Sequence, residues 1–328
     1  MKAIVYDEFG PPDVLRLAEV DPPKPKAHEM LLKVRAAAVN PLDWHLIRGE
    51  PAVMRLFGKP KAKIPGADVS GTVEAVGPDV RRFRRGDEVL GTVRGSFAEF
   101  ACGNEDRFAL KPHRVSFEHA ATIPVAGVTA LQALRNYGRV KAGQSVLVNG
   151  ASGGVGTFAV QMATAFGARV TGVCSARNLE LVRSLGAERV IDYAKEDFTR
   201  QATRYDLILN VAGNVSVADA RRALAPRGTL VVVGAGVGRQ TEGGITLSGM
   251  LALGLVALAS RFGQQRVSVV LGKPVHGDDL AFVAKLVEDG NVTPVIDGSY
   301  TLAGAAEAVR HLEAGHARGK IVVMPPQP

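Results

Sequence analysis

The chain has 328 residues, 46% of them hydrophobic and 22% charged, with a formal net charge of +8 at pH 7. That length is more than one hydrophobic core usually spans, and the composition excludes a disordered or collagen-like chain. Its two cysteines, Cys102 and Cys174, lie far apart without CxxC spacing, which excludes a disulfide scaffold and points to a reducing compartment.

The first residues, MKAIVYDEFG, carry no apolar signal core, and the longest apolar stretch, GMLALGLVALA at 249–259, is too short to span a bilayer. A cytoplasmic protein with no membrane partner is the expectation. Residues 1–115 hold short β-rich runs broken by Gly, Pro and Asp: MKAIVYD, LLKVRAAAV, VSGTVEAVG, DEVLGTV and FAEFACG. They predict an antiparallel, barrel-like domain. Arg81, Arg82, Arg84 and Arg85 precede the turn signal Gly86-Asp87 and read as a solvated loop rather than a nucleic-acid patch.

From about residue 119 the pattern changes. VSFEHAATIPVAGVTALQALRNYG predicts helical segments with a break at Pro124. SVLVNG, RVTGVC, RVIDY, YDLILNVAG and GTLVVVG then predict strands, and VGTFAVQMATAFG, NLELVRSLG and VADARRALAP predict helices. Val/Ile/Leu runs alternating with amphipathic helices mark a parallel, doubly wound sheet. After residue 265 short β pieces return as RVSVVLG, TPVIDGSYTL and KIVVM, with helices at DDLAFVAKLVEDG and GAAEAVRHLEAG. The predicted fold class is α/β, with a parallel-sheet domain of residues 119–264 inserted into a β-rich domain of residues 1–118 and 265–328.

The turn in VLVNGASGGVGTFAVQMA carries the first chemistry. Ala151, Ser152, Gly153, Gly154, Val155 and Gly156 fit the pattern GxGxxG with alanine in the first position. Gly153 admits a pyrophosphate close to the backbone, Gly156 lets the helix pack on its strand, and the N–H groups at the helix start face the anion. Strand, turn, helix and next strand follow within about 30 residues, the context that a dinucleotide site requires. An NAD site would end the second strand in Asp or Glu. Here RVTGVC is followed by Ser175-Ala176-Arg177, a hydroxyl and a guanidinium suited to a 2′-phosphate, so NADPH is the expected cofactor. The alternative for Arg177 is the solvated start of the next helix.

Together with this turn, the segments AAVNPLDWHLIRG (37–49), GADVSGTVEAVGPDVRRFRRGDEV (66–89), AATIPVAGVTALQAL (120–134), LGAERVIDYAKEDF (185–198) and GHARGKIVV (315–323) carry a resemblance over essentially the whole length. The chain resembles the medium-chain dehydrogenase/reductase superfamily, and within it the zinc-independent quinone oxidoreductase branch. The resemblance implies a GroES-like catalytic domain beside a Rossmann domain, with the active site in the cleft between them, and a homodimer. It implies roles near the nicotinamide for Asn40 and Asp43 of the NPLDW loop and for Thr129, and places Tyr193 with Arg177 around the 2′-phosphate. It also implies backbone contacts at Gly234 and Ala235, and a place near the cofactor or the cleft for Arg318 and Lys320. By chemistry alone, Thr129 reads equally as a helix N-cap and Tyr193 as a strand-end core aromatic. Zinc-dependent members carry Cys where this chain has Asn40 and His-Glu where it has Ala67-Asp68. The histidines show no ligand spacing, so no metal is expected.

Without a metal, hydride transfer from NADPH to a quinone or an enone creates an oxyanion that a few donors stabilise, with Asn40 and His45 as candidates. Relatives that reduce enoyl thioesters, and several that reduce quinones, carry a tyrosine shortly after the NPxD-type loop, and this chain has none between residues 40 and 60. That favours quinone over enoyl reduction, unless His45 is the acid. An ordinary loop histidine beside Trp44 is the other reading of His45. Trp44, Met54 and Phe57 are candidate pocket walls, and core packing explains them equally. An NADPH-binding protein without turnover, or one that binds RNA, is the alternative of a different class. The segment RVSVVLG is an edge-strand candidate for pairing two copies.

Overall fold

The computed structural model describes the chain outside residues 51–54, 56, 57, 59, 61, 62, 235–257, 259, 261, 262, 271–274, 316, 327 and 328. The N-terminal run forms β1 (Lys2–Val5), which pairs antiparallel with β2 (Arg16–Glu19). The central strand of the first unit is β3 (Glu29–Val39). It is followed by α1 (Pro41–Arg48), β4 (Asp68–Val76), β5 (Glu88–Thr92), β6 (Phe100–Asn104), β7 (Phe108–Leu110) and the short helix α2 (Phe117–Ala121). Helix α3 (Pro124–Leu131) runs into a π-helical turn, Gln132–Tyr137.

Six strands and three helices then alternate. They are β8 (Ser145–Asn149), α4 (Gly154–Ala165), β9 (Arg169–Cys174), α5 (Leu179–Ser184), β10 (Arg189–Asp192), β11 (Tyr205–Asn210), α6 (Val217–Arg222), β12 (Leu224–Val233) and β13 (Arg266–Val270). The chain closes with α7 (Gly277–Glu288), β14 (Ile296–Thr301), α8 (Ala305–Glu313) and β15 (Lys320–Met324). The chain divides into Met1–Val128 with Pro274–Gly290 and Pro294–Pro328, and Thr129–Lys273 with Asn291–Thr293.

In the first unit the sheet order is β14-β15-β3-β4-β5-β7, and β6 also pairs with β3. β3 serves two neighbours on one edge because each takes a different part of it, while on the other edge its register with β4 shifts twice, between Leu31 and Leu32 and between Val34 and Ala36. Its first half pairs with β6, and its last residues, Ala37–Val39, pair with β15. The first half alternates between buried and half-buried residues, as a one-sided strand should, whereas Ala36–Val39 are all buried. Ala37 and Val39 pack with Ala305, Ala308 and Val309 of α8, while Ala36 and Ala38 pack with Ala121 of α2. Small side chains there let helices cover both faces. The arginine-rich loop is paired locally, Arg85 with Glu74 at 2.8 Å and Arg84 with Asp87 at 3.6 Å.

In the second unit all six strands are parallel in the order β10-β9-β8-β11-β12-β13. The order reverses between β8 and β11, where such a sheet opens a crevice at its strand ends. The fold is α/β, with a doubly wound parallel sheet set within a β-rich unit, as the sequence pattern predicts. One strand is corrected: β13, grouped by sequence with the later β pieces, pairs in parallel with β12 and ends the nucleotide-type sheet. As an edge strand it is only partly buried, so its sequence lacks the continuous apolar run of an inner parallel strand. Among the described residues no helix is long and apolar enough to cross a membrane.

Candidate functional site

Helix α1 opens at Asn40-Pro41, proline being suited to a first helical position, and stops at Gly49, whose φ of 69° only glycine adopts cheaply. The Asp43 carboxylate turns back and accepts the Asn40 backbone N–H at 2.7 Å. Beyond the end of β3, Asn40 meets residues from the two strands that flank β3, Asp68 at the start of β4 and Lys320 at the start of β15. The Lys320 ammonium donates to the Asn40 side-chain Oδ1 at 2.6 Å, to Asp68 Oδ2 at 3.2 Å and to the Val39 carbonyl at 3.1 Å. Asp68 Oδ1 accepts the Val125 N–H at 3.0 Å, and the Asn40 Nδ2 group donates to the Ala38 carbonyl at 3.3 Å. All four side chains are buried, Asp68 completely and the others to within 4%.

Two carboxylates and one ammonium therefore share a dry site. Burial pushes the Asp43 carboxyl up to about 7; the Asp68 charge adds to the rise, while the Asn40 N–H and the Lys320 charge oppose it. Burial raises Asp68 as well, against the pull of Lys320. The buried Tyr6 phenol is raised by burial and then by the Asp43 charge, so Tyr6 senses the same cluster. The resemblance implies a place for Lys320 near the cofactor or the cleft. Its three donors are spent on protein oxygens, which makes it an internal counter-charge rather than a cation offered to a phosphate.

His45 takes no part in these bonds. Its Nδ1 lies 2.7 Å from Glu50 Oε2, and its ring stacks on Trp44 with centroids 3.6 Å apart. Trp44 also packs, half-buried, against the core cluster that holds Ile4, Tyr6 and Ile47. Met54, Phe57 and Ala235 lie outside the described residues. Arg318 is exposed on the turn before β15. Thr129 sits in the interior of α3, half-buried, so the N-cap reading is overturned; Pro124 is the helix start.

The second cluster lies at the ends of β8, β9 and β10. The backbone reverses at Gly150, with φ of 88°, and this explains why alanine is tolerated next door: the left-handed residue is Gly150, and Ala151 is buried with its N–H on the Val173 carbonyl at 3.0 Å. A Cβ on Gly156 would lie 2.0 Å from the Gly150 oxygen, whereas one on Gly153 would meet nothing closer than 3.6 Å. Gly156 is thus a packing glycine, and the face of Gly153 is open, as a cradle for an anion must be. Gly154, Val155 and Gly156 form the first turn of α4, whose N–H groups have no acceptor earlier in the helix.

Ser152 and Ser175 are half-buried and Arg177 is exposed. Tyr193 follows β10, its N–H on the Cys174 carbonyl at 3.2 Å and its side chain 55% exposed, so it is not a core aromatic. Gly234 follows β12 with φ of 72°, and a Cβ there would meet nothing within 4 Å among the described residues. Between β8 and β11, Asn149 Nδ2 donates to Asn210 Oδ1 at 2.9 Å and to Asn214 Oδ1 at 2.8 Å, tying both strand ends to the following loop. Sequence reasoning missed Asn149, Asn210 and Asn178, and it treated Asp68 only as a lost metal position. The signal was present for Asp68 and Asn149, each a polar residue in an apolar strand run.

Comparison with known proteins bears on both clusters. Residues 26–177 match the family model described as alcohol dehydrogenase GroES-like domain, and residues 185–323 match the one described as zinc-binding dehydrogenase. The chloroplast envelope quinone oxidoreductase homolog of Arabidopsis thaliana is 34% identical over 341 residues, covering 99% of this chain and 98% of that protein. The chloroplastic NADPH-dependent alkenal/one oxidoreductase of the same plant is also 34% identical, over 99% of this chain and 80% of its own length. The structure of the quinone oxidoreductase from Coxiella burnetii superposes with a TM-score of 0.85 at 33% identity, covering 99% of both chains. On this full-length similarity the chain belongs to the medium-chain dehydrogenase/reductase superfamily, in its quinone oxidoreductase-like branch, and is an oxidoreductase.

Proposed function

We propose that the protein is an NADPH-dependent, metal-independent reductase of quinones or similarly electron-poor carbonyl acceptors. The observation that carries this reading is the buried Lys320 ammonium, bonded to Asn40 and Asp68. Asn40 stands where zinc-dependent members carry a Cys, and Ala67-Asp68 where they carry a His-Glu pair. The oxygen donors there are already spent on a cation, and zinc favours nitrogen and sulfur donors, so the residues present do not fit that ion. Among the described residues no three His, Cys, Asp or Glu side chains converge as a metal site would need.

The second cluster fits a phosphorylated dinucleotide. The open face at Gly153 and the first turn of α4 suit the pyrophosphate. β9 ends in Ser175-Ala176-Arg177 with no carboxylate to repel a 2′-phosphate, and the exposed Tyr193 adjoins β9 through its bond to Cys174. Bound NADPH supplies a hydride. The chain's own residues bind it, orient it and manage the proton. Asn40, its amide oxygen gripped by Lys320, keeps its Nδ2 group as the donor end. Beside it, burial raises the Asp43 carboxyl to about 7, so part of it is protonated near neutral pH. An enone acceptor is the second reading, favoured by that stored proton, since an enolate carbon needs protonation where a reduced quinone exchanges with water. A homodimer paired through the edge strand β13 is part of the proposal.

The test follows nucleotide absorbance with NADPH or NADH against a quinone, a small enone and a simple aldehyde, with and without a chelator. Quinone turnover with NADPH that survives chelation is expected. Turnover of aldehyde alone, loss on chelation, or a preference for NADH overturns the acceptor, metal or cofactor part in turn.

A further inference from the structure

We propose that Asn178 is the positioning residue that presets the hydroxyls of Ser152 and Ser175 as hydrogen-bond donors to the 2′-phosphate of the dinucleotide, and so helps set the preference for NADPH over NADH. The inference rests on the cofactor reading given above and adds to it a residue that touches neither phosphate nor ribose.

Asn178 Nδ2 donates to Ser152 Oγ at 3.0 Å and to Ser175 Oγ at 3.2 Å. One amide therefore joins the glycine turn after β8 to the end of β9, across 26 residues of chain. An amide NH2 group has two N–H donors, and both are used. Each serine oxygen receives one of them, which leaves its own O–H to point elsewhere. Both serines are half-buried while Asn178 is only 3% exposed, so the amide is the more deeply set of the three side chains. A phosphate has only acceptor oxygens to offer such a pair, apart from any residual proton. A ribose 2′-hydroxyl in the same place gains much less from two neutral donors.

Two further observations bear on the orientation of the amide. Its backbone N–H bonds the Ser175 carbonyl at 2.9 Å, and its φ and ψ of −111° and 3° fall in the bridge region, where active-site residues gather. Its Oδ1 is buried with no hydrogen-bond partner among the described residues. Reversing the amide would replace one unmet acceptor by two unmet donors, and would turn the serine protons inward. The observed orientation is thus the less costly one, and the one that suits an anion. A fold retains an unmet buried acceptor where another property depends on it.

Calorimetric titration of the purified protein with 2′,5′-ADP and with ADP isolates the 2′-phosphate. The wild type is expected to prefer 2′,5′-ADP. Asn178→Ala should lower 2′,5′-ADP affinity by about tenfold, the scale of hydrogen bonds to a charged group, while ADP affinity stays within about twofold. Asn178→Asp should lose more, because its carboxylate turns the hydroxyls inward and repels the phosphate. Combined with Ser175→Ala, the loss from Asn178→Ala should be less than additive. If Asn178→Ala does not fold, the double variant Ser152→Ala/Ser175→Ala carries the same expectation, a lost preference for 2′,5′-ADP. An unchanged ligand ratio, an equal loss for both ligands, or full additivity overturns the role of Asn178. A wild type indifferent to the 2′-phosphate overturns the cofactor reading instead.

Discussion

The two polar clusters follow opposite designs. Around the glycine turn, backbone geometry leaves an open face, and Ser152, Ser175, Arg177 and Tyr193 stand half-exposed or exposed around the buried Asn178. Around Asn40 the side chains have satisfied one another, with an ammonium, a carboxylate and an amide locked together at 0–4% exposure. Damage to the first should appear in ligand binding, and damage to the second in stability. An open site keeps its polar groups near the surface, whereas a buried charged site survives only by supplying partners.

The largest expected effect breaks the second design. Lys320→Met leaves the Asp68 carboxylate buried without its cation and should cost about 3–5 kcal/mol in urea unfolding. Adding Asp68→Asn should recover a substantial part, because the uncompensated charge is then gone. A full cost in the double variant would mean that packing of the lysine stem, not charge, is what matters. Next, two substitutions within one turn sharpen the contrast. Gly156→Ala drives a Cβ into the Gly150 carbonyl and should destabilise by about 1–3 kcal/mol. Gly153→Ala has room in the protein, so its melting temperature should stay near that of the wild type while NADPH affinity falls. Arg177→Ala should weaken NADPH by about tenfold and leave NADH nearly unchanged, with little change in melting temperature.

The smallest effect concerns pH. Asp43 rises from an ordinary 3.8 to about 7 in the folded protein, so the native state binds this proton more tightly than the unfolded chain. Stability from this group is present below pH 4, falls as pH rises from about 4 to about 7, and is level above that. Asp43→Asn carries no such proton, so its unfolding free energy should vary less with pH across that interval. An identical pH slope in both proteins would show that Asp43 does not titrate there.

What the sequence made legible was local. The glycine turn, the parallel strands and the Ser175–Arg177 pair all lie within short spacings, where backbone rules operate. Lys320 was legible as a residue but not in its role, because it meets Asn40 across 280 residues and no spacing encodes that. Asn178 escaped notice because SARN reads as an ordinary exposed turn, although the fold turns that asparagine inward. β13 was misgrouped because an edge strand of a parallel sheet and a strand of an open antiparallel sheet show similar half-buried patterns. Thr129 was read as a possible cap because glycine and proline nearby suggest a helix start, and the start lies at Pro124.

The 280-residue separation of Asn40 and Lys320 also sets an order of events on the ribosome. At about 5–20 residues per second, β3, α1 and β4 wait on the order of tens of seconds for the strand that neutralises them. Until then Asp68 has no lysine beside it, and the last residues of β3 lack the β15 edge they pair with in the finished sheet. The inserted parallel sheet, complete by residue 270, has all its strands about 3–10 seconds earlier than β15 at that rate. The nascent protein therefore passes through a stage with a formed nucleotide-type unit and an unfinished β-rich one, and that stage is when chaperones would find the chain most exposed.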